Sequence, residues 1–81
     1  MPHVFLMASL RSFANGANEF VVKGTNVSEI ITELDQRFPG IGEKLRSGIA
    51  VAIDGEIMSR ALYEPVEEDS EVHFLPAVSG G

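Results

Sequence analysis

The chain has no cysteine and no tryptophan. Without cysteine there is no disulfide framework, no thiolate nucleophile and no thiolate ligand for zinc. Cations are scarce: six Lys and Arg stand against twelve Asp and Glu, a formal net charge of −6 at pH 7. Nonspecific nucleic-acid binding rests on cationic contacts to phosphate, so the balance argues against nucleic acid as a partner, and against anionic membrane surfaces for the same reason. No apolar run approaches the ~18 residues needed to cross a bilayer. The apolar run at 4–10 has no basic segment before it and no cleavage-like site after it, so a signal peptide is not expected. A cytoplasmic protein that meets basic partners is the expectation.

What the chain does have is an ordinary globular balance, 44% hydrophobic and 22% charged over 81 residues. That predicts one small domain with a single core. The first run, His3-Val4-Phe5-Leu6-Met7-Ala8, reads as a buried strand, with Val4 and Leu6 on one face and His3, Phe5 and Met7 on the other. Residues 10–13 predict a short turn, and Asn15-Gly16-Ala17-Asn18 a tighter one. Glu19-Phe20-Val21-Val22-Lys23 then alternates with Phe20 and Val22 inward, so the two runs read as an antiparallel hairpin.

Val27, Ile30, Ile31, Leu34 and Phe38 follow at helical spacing. They predict one amphipathic helix, capped by Thr25 or Asn26, with Glu29 in its first turn and Arg37 near its end, where their charges suit the dipole. Phe38-Pro39-Gly40 stops it. A further short turn is expected at 41–45, then a strand at 49–53, the tight turn Asp54-Gly55, a short return at 56–58, an acidic loop at 65–70 and a last strand at 71–75. The N- and C-terminal runs are the most apolar, which places them centrally and adjacent, in parallel. The predicted class is α+β: a β-grasp, ubiquitin-like mixed sheet with one main helix across one face. The domain is expected to span residues 1–76, with 77–81 as a flexible tail.

That tail carries the sharpest functional signal. Gly80 and Gly81 lack side chains, so their backbone can enter a channel too narrow for any other residue. The end of the chain, Glu71-Val72-His73-Phe74-Leu75-Pro76-Ala77-Val78-Ser79-Gly80-Gly81, resembles the ubiquitin-like sulfur carriers of the ThiS/MoaD type. Leu10-Arg11-Ser12-Phe13 resembles the molybdopterin-synthase small subunit. The helix and its exit through Phe38-Pro39-Gly40-Ile41-Gly42-Glu43-Lys44-Leu45, with Leu75-Pro76-Ala77-Val78, look more like the carrier used in cysteine biosynthesis. The resemblance covers essentially the whole chain.

It implies a protein co-substrate rather than an enzyme, with no catalytic residue and no bound cofactor of its own. An E1-like adenylating enzyme would use ATP to activate the Gly81 carboxylate. A sulfide or persulfide donor would then leave a C-terminal thiocarboxylate for a sulfur-acceptor enzyme, either molybdopterin-synthase large subunit-like or cysteine-synthase-like. The tail residues Pro76, Ala77, Val78, Ser79 and Gly80 would present that carbon, and the free carrier would be a monomer. If Val4, Leu6, Val72 and Phe74 face the helix, alternation turns Phe5, Met7 and Leu75 away from it, and Ile57 can join them. Such an exposed apolar patch marks an interface, and carriers of this type dock on activating enzymes through that face.

Other constellations point to no chemistry. Glu64, Glu67, Glu68, Asp69 and Glu71 are irregularly spaced and read as a solvated loop that can steer toward a basic partner, not a metal site. His3 and His73 could be neighbours but lack further ligands and read as outward-facing. Ser9, Ser12 and Ser79 have no nucleophile setting, and the scattered glycines form no phosphate loop. Two other functions compete with the carrier: a ubiquitin-like modifier joined through Gly81 to lysine, and an interaction module with an inert tail.

Overall fold

The computed structural model describes residues 1–6, 8–46, 50–59 and 62–75. The chain runs through β1 (His3–Leu6), a 3-10 helix (Ala8–Ala14), β2 (Glu19–Val21), α1 (Val27–Arg37), α2 (Ile41–Arg46), β3 (Ala50–Ile53), β4 (Glu56–Ser59) and β5 (Glu71–Leu75). The strands form one sheet in the order β2-β1-β5-β3-β4. The pairing β1–β5 is parallel and the others are antiparallel. The terminal strands are therefore adjacent and central, as their apolar content predicts, and the mixed sheet with a helix across one face is the expected β-grasp.

Alternation divides each strand. Val4 and Leu6, Val51 and Ile53, and Val72 and Phe74 point to the helical side and are buried. They meet Val27, Ile30, Ile31 and Leu34 of α1 and Ile41 and Leu45 of α2 in one cluster. The cluster extends beyond the residues read from periodicity, taking in Leu10, Ala14 and Val66.

Three local expectations are corrected. The first strand stops at Leu6, and Ala8 opens a 3-10 helix rather than continuing the strand. That helix exceeds the turn expected at 10–13 because it carries Leu10 and Ala14 under the sheet, both buried. Phe20 faces inward as expected, opposite Val4, but is only half-buried where Val22 is fully buried. Its strand is an edge with one neighbour, and its ring packs against the rim of the core and on Phe38 at the exit of α1, centroids 5.1 Å apart. Residues 41–46 make an α-helix instead of a turn, started by Asp35, whose Oδ1 accepts the N–H groups of Gly40 and Gly42 at 3.1 and 2.9 Å. The expected strand residue Ile49 lies outside the described residues, as does Pro76 at the expected domain boundary.

The start of α1 shows how the chain satisfies its helix ends. The N–H groups of Val27 and Ser28 donate to the carbonyls of Glu64 and Leu62 at 3.1 and 2.7 Å. The N–H of Glu29 donates to Asn26 Oδ1 at 2.8 Å and that of Ile30 to the Asn26 carbonyl at 3.1 Å. The three open donors of the first turn are thus paired, and the Ile30 bond begins the helix's own ladder. The loop at 62–66 is pinned to the helix start, and Val66 N–H returns to the Thr25 carbonyl at 2.9 Å. Gly24 lies so close beneath this turn that a Cβ there would sit 2.8 Å from the Ile30 nitrogen, so the close approach needs glycine.

Glu29 closes a reciprocal cap. Its Oε1 accepts from the backbone N–H and the hydroxyl of Thr25, both at 2.8 Å. These two bonds, the backbone one first, hold its carboxyl below the ordinary value of 4.5. A lowered folded-state value means that this stabilisation is complete above the ordinary carboxylate range and fades as pH falls through the lowered one. Glu29→Ala should therefore melt below wild type at neutral pH, and the two melting temperatures should converge in acid. A gap that stays constant down through the carboxylate range would show that the charge plays no part.

Candidate functional site

The sheet has one face under the helices and one turned away. Register builds the second face from ranks of side chains. Phe5 lies opposite Glu19 on one side and His73 on the other; His73 lies opposite Ala52, and Ala52 opposite Ile57. Glu19, Phe5, His73, Ala52 and Ile57 therefore form one row across all five strands. In the next rank, toward the end of β5, Leu75 stands opposite Ala50.

The row is apolar except at its β2 end and at His73. The Phe5 and His73 rings are stacked, centroids 4.5 Å apart and 11° from coplanar. Both are half-buried, and so is Leu75. Ile57 is 70% exposed, a large apolar side chain left open to water. The two alanines of β3 keep the middle of the face low, between His73 and Leu75 on one side and Ile57 on the other. Asp54-Gly55 joins β3 to β4 with both residues at positive φ, 51° and 89°. This is the two-residue turn that matches strand twist and fixes register. It sets Ile57, rather than Met58, on the outer face.

Carboxylates rim the apolar row. His3 Nδ1 lies 3.4 Å from Glu19 Oε2 on the β2 side. Glu71 N–H donates to Asp54 Oδ1 at 2.9 Å. Glu67 and Ser70 form a reciprocal turn in which Glu67 N–H donates to Ser70 Oγ at 2.9 Å and Ser70 N–H to the Glu67 carbonyl at 3.1 Å. Among the described residues no three His, Asp or Glu side chains converge as metal ligands, and no helix is long and apolar enough to cross a membrane.

Of the residues read from sequence as the docking patch, Phe5, Leu75 and Ile57 share this face; Met7 lies outside the described residues. Outside them too lie the attachment residue Gly81 and the tail Pro76, Ala77, Val78, Ser79 and Gly80. The segment at 62–66 packs on the helical side, against the start of α1. His3 and His73 are not paired directly: His3 is opposite Glu71, and Phe5 stands between the two imidazoles. Sequence reasoning left His73 and Ala52 out of the patch. The alternation that turns Leu75 outward turns His73 outward as well, so half of that signal was present. The other half is the parallel register, which lays His73 on Phe5.

Comparison with known proteins gives a consistent set. A family model described as the ThiS family matches residues 4–81. The molybdopterin synthase sulfur carrier subunit of Pyrenophora tritici-repentis (strain Pt-1C-BFP) is 30% identical, over 96% of this chain and 87% of its own. A chain in the crystal structure of the Amycolatopsis orientalis BexX/CysO complex superposes with a TM-score of 0.86 at 29% identity, covering 100% of both chains. The small archaeal modifier protein SAMP1 of Haloferax volcanii superposes with a TM-score of 0.72 at 25% identity, over 99% of this chain and 98% of its own.

Proposed function

Because the chain belongs to the ThiS family, we propose that it is a cytoplasmic sulfur carrier of the ThiS/MoaD type, a co-substrate that leaves catalysis to its partners. An E1-like enzyme adenylates the Gly81 carboxylate: a carboxylate oxygen attacks the α-phosphorus of ATP and pyrophosphate leaves. The acyl adenylate then has AMP as a leaving group. Sulfide sulfur attacks the carbonyl carbon, the C–O bond to AMP breaks, and a thiocarboxylate remains. A persulfide donor reaches the same product after a thiol reduces the acyl disulfide. The thiocarboxylate sulfur is then delivered to an acceptor enzyme of molybdopterin-synthase large-subunit or cysteine-synthase type.

The observation that carries this reading is the placement of β5. It is the middle strand of the sheet, its outward residues His73 and Leu75 lie on the apolar face, and Leu75 is followed by the six residues that end in Gly80-Gly81. Six extended residues span at most about 20 Å. A partner seated on the outer face therefore has the carboxylate within reach of its own active site. The 30% identical carrier subunit and the 29% identical chain of the BexX/CysO complex support the carrier chemistry.

The test is ATP–pyrophosphate exchange with the activating enzyme, followed by intact mass after addition of a sulfur donor. The oxygen-to-sulfur mass gain at the C-terminus is expected; its absence with an active partner would remove the carrier reading. A second reading, conjugation of Gly81 to lysines, is favoured by the 25% identity to the Haloferax volcanii modifier protein. It predicts Gly-Gly remnants on target lysines.

Docking has its own test. Leu75→Asp and Ile57→Asp place a charge on the outer face, away from the core. Each should weaken binding to the activating enzyme on the order of tenfold or more, because the carboxylate is desolvated without a partner. Titration calorimetry reads this directly. Wild-type affinity in both variants would take the outer face out of the mechanism.

A further inference from the structure

We propose that His73 is a docking residue on the outer face, and that the activating enzyme selects its neutral form. The inference rests on the docking reading above and adds to it a residue and a dependence on pH.

The argument starts from what surrounds the imidazole. One face of the ring is stacked on Phe5 at 4.5 Å. Its other lateral neighbour is Ala52, and Ile57 stands beyond that alanine. Leu75 lies two residues along the same strand and on the same side. His73 is thus set in the centre of a surface that is otherwise apolar, and a protein that covers Phe5, Leu75 and Ile57 must cover His73 too. A surface complementary to those side chains is itself apolar. An imidazolium pressed beneath it would lose water and gain no counter-charge.

Among the described residues, charged groups approach the ring only from the rim. On β1 there is His3, already 3.4 Å from Glu19 of β2. On β5 there is Glu71, whose backbone is tied to Asp54. In the same rank β3 contributes Ala52 and β4 contributes Ile57. Among the described residues His73 forms no ion pair. In the free carrier the half-buried ring still meets water. In the docked carrier that water is gone, and among the described residues no side chain on this face supplies a counter-charge to an imidazolium. Docking therefore competes with protonation, and histidine is the side chain whose charge changes between about pH 5 and 8.

The experiment measures Kd for the E1-like activating enzyme from the same genome by calorimetry, at about pH 7.5 and about pH 5.5. It uses wild type, His73→Phe, His73→Gln and His3→Gln. His73→Phe keeps an aromatic ring on Phe5 and takes no proton; His73→Gln keeps a polar group and also takes none. Wild type should weaken on acidification by on the order of tenfold more than either His73 variant. His3→Gln should keep the wild-type slope. Equal slopes in wild type and both His73 variants would overturn the proposal. So would a wild type that gains affinity in acid relative to them, which would place a partner carboxylate over the ring. Tight but pH-independent binding by wild type would remove the histidine and leave the docking face standing. No binding at neutral pH would remove the docking face, and His73 with it.

Discussion

Deleting Gly81 should abolish adenylation and sulfur loading while leaving thermal unfolding where it is. The shortened chain ends at Gly80, and an extended backbone loses roughly 3.3–3.6 Å of reach with one residue. Reaction geometry tolerates far less: a misplacement of about 1 Å can cost on the order of 100-fold. Gly80→Val should fail for a different reason, since the length is unchanged but a β-branched side chain enters a channel shaped for bare backbone. Neither residue has a side chain to lend to a hydrophobic core. Pyrophosphate exchange and intact mass read the chemistry, and a melting curve reads the fold. A protein lacking Gly81 that is adenylated and sulfurated like wild type would end the carrier hypothesis.

Leu34→Ala should do the reverse and strike stability alone. Leu34 is fully buried, on the face of α1 that carries Val27, Ile30 and Ile31 onto the sheet. Truncating a leucine at such a site costs about 2–5 kcal/mol, part lost transfer energy and part cavity. The whole stability of a small domain is on the order of 5–15 kcal/mol. The denaturant midpoint should fall steeply, and whatever remains folded should still be adenylated. An unchanged midpoint would contradict the packing of α1.

Much of this architecture was legible in the sequence where burial follows a period. The spacing of Val27, Ile30, Ile31 and Leu34 found α1 and its buried face, and alternation in β1 and β5 found the four central core residues. Asp54-Gly55 found its hairpin. What escaped was set by tertiary context. Leu10 and Ala14 are buried through a 3-10 helix, whose spacing differs from the α-helical and strand periods that frame such a reading. Phe20 alternates correctly but sits on an edge strand, and nothing local distinguishes an edge from a centre. Val66 is buried because its loop is tied to the start of α1 by carbonyls that no motif announces. The candidate site divides the same way. Phe5, Leu75 and Ile57 followed from alternation and turn geometry, whereas the Phe5–His73 stack required the parallel register between strands far apart in the chain.

The parallel pairing of β1 with β5 bears on the order of events in synthesis. Strands nearly a whole chain apart in sequence make the centre of the sheet, and among the described strands β5 alone is bonded to both β1 and β3. Until β5 is made, the described strands can pair in their native way only as two separate hairpins, β1–β2 and β3–β4, and an isolated hairpin is at best marginally stable in water. Closing so large a loop is entropically costly before any contact rewards it. Folding is therefore delayed to the last moment of translation. The outer face, with ranks drawn from all five strands, comes into being only once β5 is in place. A chain that stops short of β5 lacks the strand that joins the two hairpins, and with it the five-strand outer face.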